Sequence, residues 1–330
     1  MIEIKTNTGT PKYKQIILAV EQAISNGDLT LGMQLPSINS IKETHKLSRD
    51  TVLMAYNDLK NRGIIQSVVG KGYFVASEHV HIQQKVFLLF DELNSFKEDL
   101  YNTFLTELGK NIQVDIFFHH FNENTFSKLI NEHLDDYHYY IIMPGLLKST
   151  SKVINVLPKD KVFILDQLHN DLKDYAAIYQ DFEKDIFSSL SKVKDLIKKY
   201  KQFVLVFDPK KQPSGMKKGF VKFCKQNEIP YQITAVFEPE TLKKGDLYIT
   251  PDDRSLLNII KVLKNENLAI SKDIGVISYN ETLLKEVVEG GITTISTDFK
   301  YMGKRLAKMI LNNEHTQVKN PHNIFIRHSL

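Results

Sequence analysis

Asp91, Asn94, Asp166, Asp252, Asp253, Asn280, Glu281 and Thr297 all stand at or just beyond the ends of short apolar runs. Asp91 and Asn94 follow Val86–Phe90, Asp166 follows Val162–Leu165, and Asn280-Glu281 follow Ile274–Tyr279. Carboxylates and carboxamides accept from and donate to vicinal hydroxyls. A set of them converging on one pocket would suit a monosaccharide or a related small polar metabolite. Each residue taken singly has an alternative role as a turn former or helix cap. A second set has different chemistry. Arg49, Thr51 and Asn57 share one stretch of helical spacing, Lys60 comes near its end, and Lys71 lies between two glycines. Guanidinium, hydroxyl and carboxamide groups match base edges in a major groove, and lysines match phosphates. For surface bases in general, solvation without a partner is the alternative.

The elements that must position the second set are legible between Leu35 and Val75. Leu35-Pro36-Ser37 stops one segment and starts another, because proline is poor inside a helix and Ser37 can cap a new one. A short helix over about 37–45 follows, with Ile38 and Ile41 inward. Ser48 can cap the next helix, with Leu47 as a staple. There Val52, Ala55, Tyr56 and Leu59 recur at helical spacing and make one apolar face. Arg62-Gly63 ends it. Ile64–Ser67 and Tyr73–Ala76 read as short strands around Val69-Gly70-Lys71-Gly72, a turn whose glycines supply positive φ. Helix, turn, helix and hairpin make a winged helix-turn-helix. A preceding helix over about 12–26 presents Tyr13, Ile16, Ile17, Val20 and Ile24 on one face and ends at Asn26-Gly27.

Residues 11–75 resemble the DNA-binding domain of the GntR family. Pro11-Lys12-Tyr13-Lys14-Gln15-Ile16 is similar to that family's P-x-Y-x-Q-I opening, and Gly27–Gly32 to its G-x-L-x-x-G. Leu35-Pro36-Ser37, Ser48–Val52, Ala55-Tyr56 and Gly70-x-Gly72-Tyr73-Phe74-Val75 complete the set in order. The resemblance implies a partner, double-stranded DNA. It implies contacts from Ser37, Asn39, Ser48, Arg49, Thr51, Asn57, Lys60, Gly70, Lys71 and Gly72. Asn39 departs from the pattern, since the family often has arginine there.

Residues 77–84 lack periodicity and read as a linker. From Lys85 onward, apolar runs of strand length alternate with amphipathic helical segments, including one long helix over about 181–200. Repeated β-α-β units bounded by Gly, Pro and Asp argue for parallel sheets covered by helices. Two such series suggest two α/β lobes, one of about 85–178 and 296–314, the other of about 179–292 and 318–330. In parallel α/β lobes the loops at the carboxyl ends of the strands gather at one edge, where ligands bind. That edge is where the eight polar residues fall.

This region is similar to the periplasmic-binding-protein-like effector domain of LacI-type regulators. Ile178-Tyr179-Gln180-Asp181 resembles that family's V-x-x-D, Gly219-Phe220 its Gly-Phe pair, and Asp252-Asp253 its N-D. Ile274–Glu281 resembles I-x-V-V-G-[FY]-D-[DN], and Gly291–Gly303 its closing L-T-T block. The family usually has arginine where this chain has Met216, which points to a less polar sugar or a different pose. The resemblances together imply a ligand-responsive transcriptional regulator, an α/β chain with a winged helix-turn-helix ahead of a two-lobed domain, acting as a homodimer on a pseudo-palindromic operator. A small-molecule enzyme with an accessory winged-helix docking module is the alternative.

Composition sets outer bounds. The 330 residues suffice for one small and one large domain. Net charge is +4 at pH 7, which permits nucleic-acid binding without arguing for it. The single cysteine, Cys224, cannot form an intrachain disulfide and fits a reducing, cytoplasmic setting as a packed thiol. The N-terminal stretch has no apolar signal core, and no apolar run approaches the ~20 residues of a membrane helix. There is no Walker loop, G-x-S-x-G or H-E-x-x-H, so no catalytic residue is expected. His79 and His81 have the spacing of metal ligands in a strand, but no matching third and fourth ligand accompanies them, so neither metal nor cofactor is expected. His119-His120 and Tyr137–Tyr140 read as interface or packing residues rather than as an acid–base site.

Overall fold

The computed structural model describes residue 4 and residues 10–77, 84–109, 112–134 and 136–330. His79 and His81 lie outside the described residues. The chain divides into two compact units with the boundary between residues 83 and 84.

In the first unit, α1 (Lys12–Ser25) buries Ile16, Ile17, Val20, Ala23 and Ile24. α2 (Ile38–His45) opens on Ser37, whose hydroxyl oxygen accepts the Ser40 N–H at 3.1 Å. It closes on Lys46 in the left-handed conformation. α3 (Arg49–Asn61) opens on Ser48, which accepts the Thr51 N–H at 3.1 Å. Such caps satisfy backbone groups that the helix leaves free and are worth about 1 kcal/mol each. Val52, Ala55, Tyr56 and Leu59 are fully buried, as their spacing requires. Strands β1 (Ile65–Val68) and β2 (Gly72–Val75) pair antiparallel, with Ile65 opposite Val75. Gly70 at φ 75° and Gly72 at φ 107° make the turn between them. The unit is a winged helix-turn-helix around one core.

The second unit contains two six-stranded sheets. The first lobe begins with β3 (Gln84–Phe90), α4 (Ser95–Leu108), β4 (Ile112–Phe118), α5 (Glu123–Glu132), β5 (Tyr139–Ile142), the short α6 (Ser151–Ile154), β6 (Val162–Asp166) and β7 (Ala176–Tyr179). The second lobe holds α7 (Phe182–Lys192), α8 (Lys194–Ile197), β8 (Gln202–Val206), α9 (Ser214–Gln226), β9 (Tyr231–Thr234), β10 (Asp246–Thr250), α10 (Asp253–Asn265), β11 (Gly275–Tyr279), α11 (Leu283–Val287) and β12 (Thr293–Thr297). The chain returns to the first lobe for α12 (Phe299–Leu311) and β13 (Gln317–Lys319). It ends in the second lobe with β14 (His322–Phe325).

Strand order is β13-β7-β6-β5-β3-β4 in the first sheet and β14-β12-β11-β10-β8-β9 in the second. Among the described residues of these two sheets, all pairings are parallel except β12 with β14. Each sheet is covered on both faces, one hydrophobic cluster to a face. That explains why Val86–Phe90 and Phe203–Val206 are continuously apolar rather than alternating. Burying each such Phe, Leu or Val contributes roughly 1.5–3 kcal/mol. Gly219 lets α9 lie against α7, because a Cβ there would collide with the Glu183 carbonyl and the Ile186 side chain. Gly303 does the same for α12 against α4, at the Leu100 carbonyl.

Three details differ from the sequence reading. β12 runs through Thr297 inside the second sheet, so residues 296–297 belong with the second lobe. Residues 317–319 form β13 at the edge of the first sheet, although three residues carry too little pattern to announce a strand. The helix expected over 181–200 is broken at Val193 into α7 and α8, with Val193 and Ile197 both buried.

Candidate functional site

The two lobes enclose a cavity of about 280 Å³ built from the loops at the carboxyl ends of β3, β6, β10 and β11. This is near the lower edge of small-ligand sites, roughly 300–1,000 Å³. Asp91, Asn94, Asp166, Asp252, Asp253 and Asn280 line it. Asp91 ends β3, accepts the Glu92 N–H at 2.7 Å and forms a buried ion pair with Lys97. Asn94 caps α4, accepting the Lys97 N–H at 3.2 Å. Asp166 ends β6 with φ 71°, in the left-handed region. Its carboxylate accepts from the Gln180 carboxamide, which the first crossover between lobes brings in. Burial holds the Asp166 carboxyl up, to about 6; the nearby Lys97 ammonium opposes this and Asp91 adds to it.

Across the cavity, Asp252 caps α10 by accepting the Ser255 N–H at 2.8 Å. Asn280 also takes a left-handed φ, 62°. Its Oδ1 and the Gln180 Oε1 are buried without a hydrogen-bond partner among the described residues. Such conformations and orphaned acceptors concentrate where a protein holds groups ready for a ligand. Lys285 is fully buried beneath this wall. Its ammonium donates to the Tyr279 carbonyl at 2.7 Å and the Asn280 carbonyl at 2.9 Å, and pairs with Asp253 at 2.9 Å. Those contacts use all three of its donors and tie the Asp253 and Asn280 loops together. Desolvation pulls its pKa down.

Glu281 and Thr297 are not part of the lining. Glu281 turns to Arg327, which grips both carboxylate oxygens at 2.7 and 3.0 Å, and it also accepts from Thr294. Thr297 is buried at the second crossover, where it meets the third, donating to the Pro321 carbonyl at 3.2 Å and accepting from Asn320 at 2.7 Å. Arg327, Asn320 and Pro321 all come from the last dozen residues and carry no local signal. The sequence reading missed Lys97, Gln180 and Lys285. It also missed an aromatic lining, in which Phe96 and Phe299 meet at 4.8 Å on one lobe and Phe182 and Tyr279 at 6.5 Å on the other. Helical spacing marks such residues as core, and nothing local separates a wall from a core.

Beside the crossovers, buried Asp185 of α7 meets Lys319 of β13 at 2.8 Å and His322 of β14 at 2.9 Å. The other His322 nitrogen lies 2.9 Å from the Ser188 hydroxyl. Serine, histidine and aspartate are therefore in relay order. Ser188 stands inside α7, where backbone N–H groups are bonded within the helix and cannot form an oxyanion hole. Asp185 also carries a lysine. The group is a strut that holds α7 to strands of both sheets.

In the first unit, Asn39, Arg49, Asn57, Lys60 and Lys71 are exposed and Thr51 is half-buried. Ser37 and Ser48 use their hydroxyls as caps, and the Ser48 and Thr51 hydroxyls lie 2.8 Å apart. The hairpin is braced by Gln34, whose carboxamide donates to the Lys71 carbonyl at 2.6 Å. Tyr56 donates to the Pro36 carbonyl at 2.6 Å and meets the Tyr73 ring edge-on at 4.8 Å, which sets α3 against α2 and the hairpin. Val69, 98% exposed at the hairpin tip, is a protruding apolar group that sequence reasoning passed over. No group of three or more potential metal ligands occurs among the described residues, and none of their helices is long and apolar enough to cross a membrane.

Residues 12–75 match the family model described as bacterial regulatory proteins of the gntR family. Residues 196–330 match the periplasmic binding protein-like domain. The HTH-type transcriptional repressor STM4068 of Salmonella typhimurium is 38% identical over 76 residues, 23% of this chain. The chain covers only 32% of that relative's length. A LacI family transcriptional regulator from Silicibacter pomeroyi superposes on 74% of this chain and 98% of its own, with a TM-score of 0.63 at 13% identity. A LacI family regulator from Enterococcus faecium, solved with bound ribose, superposes on 74% of this chain and 98% of its own, with a TM-score of 0.60 at 16% identity. At such identities the likeness is one of fold. The chain thus joins a gntR-family helix-turn-helix domain at its N-terminus to a periplasmic binding protein-like domain with a two-lobed fold.

Proposed function

We propose that this chain is a ligand-responsive DNA-binding transcriptional regulator that senses a monosaccharide or related small polar metabolite in the interlobe cleft. The observation that carries the reading is the cavity itself. Carboxylates and carboxamides from strand ends of both lobes face it, and two of its buried acceptors have no partner. A two-lobed domain with such a wall can close by hinge motion about its crossovers. A ligand shifts that equilibrium only by its differential affinity for the open and closed states.

On the DNA side, α3 would enter the major groove, Arg49, Thr51 and Asn57 would reach base edges, and Lys60 and Lys71 would meet phosphate. Two copies of the chain would read a pseudo-palindrome. A relative named a transcriptional repressor supports the first half of the reading, and a structural neighbour with bound ribose supports the second.

The test uses the purified full chain. Duplexes selected from a random library are titrated by fluorescence anisotropy at fixed salt, with and without a sugar panel, and turnover of the same sugars is followed in parallel. Selection of a pseudo-palindromic duplex, with affinity that changes several-fold on adding one sugar, is the expected result. Absence of salt-dependent duplex binding would refute the DNA role. Affinity indifferent to every sugar would refute the sensing role, and turnover of one would favour an enzyme.

A further inference from the structure

We infer that the cleft accepts an uncharged polyol and rejects the phosphorylated or carboxylated forms of the same sugar. The inference rests on the reading that this cleft is the ligand site, and it deepens that reading by naming the ligand's charge class.

The first ground is the balance of fixed charge. Five carboxylates line the cavity, Asp91, Glu92, Asp166, Asp252 and Asp253, against three ammonium groups, Lys97, Lys211 and Lys285, with no arginine or histidine in the lining. The wall therefore carries a net charge of two negative when all are ionised. The second ground is how little of the positive charge is free. Lys97 is paired with Asp91, and Lys285 has all three donors engaged below the surface. Lys211 alone is exposed, at the rim, where water screens it.

Helix N-termini are the other usual anion sites, and here they are largely occupied. Asn94 caps α4, Asp252 caps α10, and Asp181 caps α7, each accepting a first-turn N–H. α9 is the exception: its N-cap position is Pro213, no side chain caps it, and its first turn reaches the cleft through Pro213 and Met216 without bringing a cationic side chain. The third ground is the direction of the missing hydrogen bonds. Gln180 is 7% exposed, and its Oε1, like the Asn280 Oδ1, is an acceptor without a donor. Hydroxyls can donate to such oxygens. Ionised phosphate and carboxylate groups cannot, and they would face like charge.

Thermal shift and calorimetry on the full chain would use matched sets: glucose, galactose, mannose and ribose, each with its terminal phosphate, and the hexoses also with their uronic acids. In any set that binds, the neutral sugar should bind at least about 100-fold tighter than either acid, the scale expected when like charges are juxtaposed. An acid that binds as tightly as its neutral parent, or binds when the parent does not, overturns this inference and leaves the sugar-sensing reading standing. A panel in which no member binds overturns both.

Discussion

Replacing Asp166 with Asn should stabilise the ligand-free protein at neutral pH while weakening its hold on ligand. The carboxyl is buried, and burial raises its pKa from 3.8 to about 6. Between those values the folded state binds more protons than the unfolded chain. Stability that is fully present below pH 3.8 is therefore lost as pH rises through about 6. A shift of about two units, at 1.36 kcal/mol per unit, amounts to ~3 kcal/mol carried against the fold above that window. Asn keeps the shape and can still accept from Gln180, but never ionises. Urea unfolding of both proteins from pH 3.5 to 8 should show the variant gaining up to ~3 kcal/mol at pH 8 and nothing below about pH 4. The same variant should lose affinity for the sugar, because a carboxylate is the stronger acceptor for a hydroxyl. If Asp166→Asn is no more stable than the parent at pH 8, or if their difference is flat across pH 4–6, burial is not what governs this carboxyl and the reasoning fails.

Other variants separate the sites. Arg49→Ala should lose roughly 1–3 kcal/mol of specific duplex binding if it reads a base, and unchanged anisotropy titrations would remove it from that role. Asn280→Gly removes the carboxamide while keeping the left-handed backbone that Gly adopts freely. It should leave duplex binding intact and abolish the ligand response, and a full response would take Asn280 out of the site. Glu281→Ala strips Arg327 of its bidentate partner and should lower unfolding stability by about 1–3 kcal/mol with sugar affinity unchanged; a selective loss of affinity would return Glu281 to the cleft. Gly219→Ala forces a methyl into the Glu183 carbonyl and should destabilise by ~1–3 kcal/mol, measurable as a lowered Tm.

The sequence by itself determined what is local. Ser37 and Ser48 cap the helices they precede, Val52 to Leu59 mark a buried stripe, and Gly70 and Gly72 turn a hairpin. Each signal spans a few residues, so helix-turn-helix and wing were legible without tertiary information. The alternation of apolar runs and amphipathic helices likewise announced two parallel α/β lobes. It placed Asp91, Asn94, Asp166, Asp252, Asp253 and Asn280 at strand ends, because topology fixes which end of a parallel sheet gathers loops.

Tertiary structure decided which side chains line the cavity between the lobes. Glu281 looked like a wall residue until Arg327, 46 positions away, took both of its oxygens. Thr297 was claimed by Asn320 and Pro321. Lys97, Gln180 and Lys285 gave no sequence signal, because a lysine or glutamine on a helix or loop is ordinarily solvated. Their roles arise only when burial removes water and forces each ammonium or carboxamide to find a partner. Charge pairing of that kind depends on distances between loops that are remote in sequence. The same residues could be surface groups in one packing and the framework of a binding cleft in another.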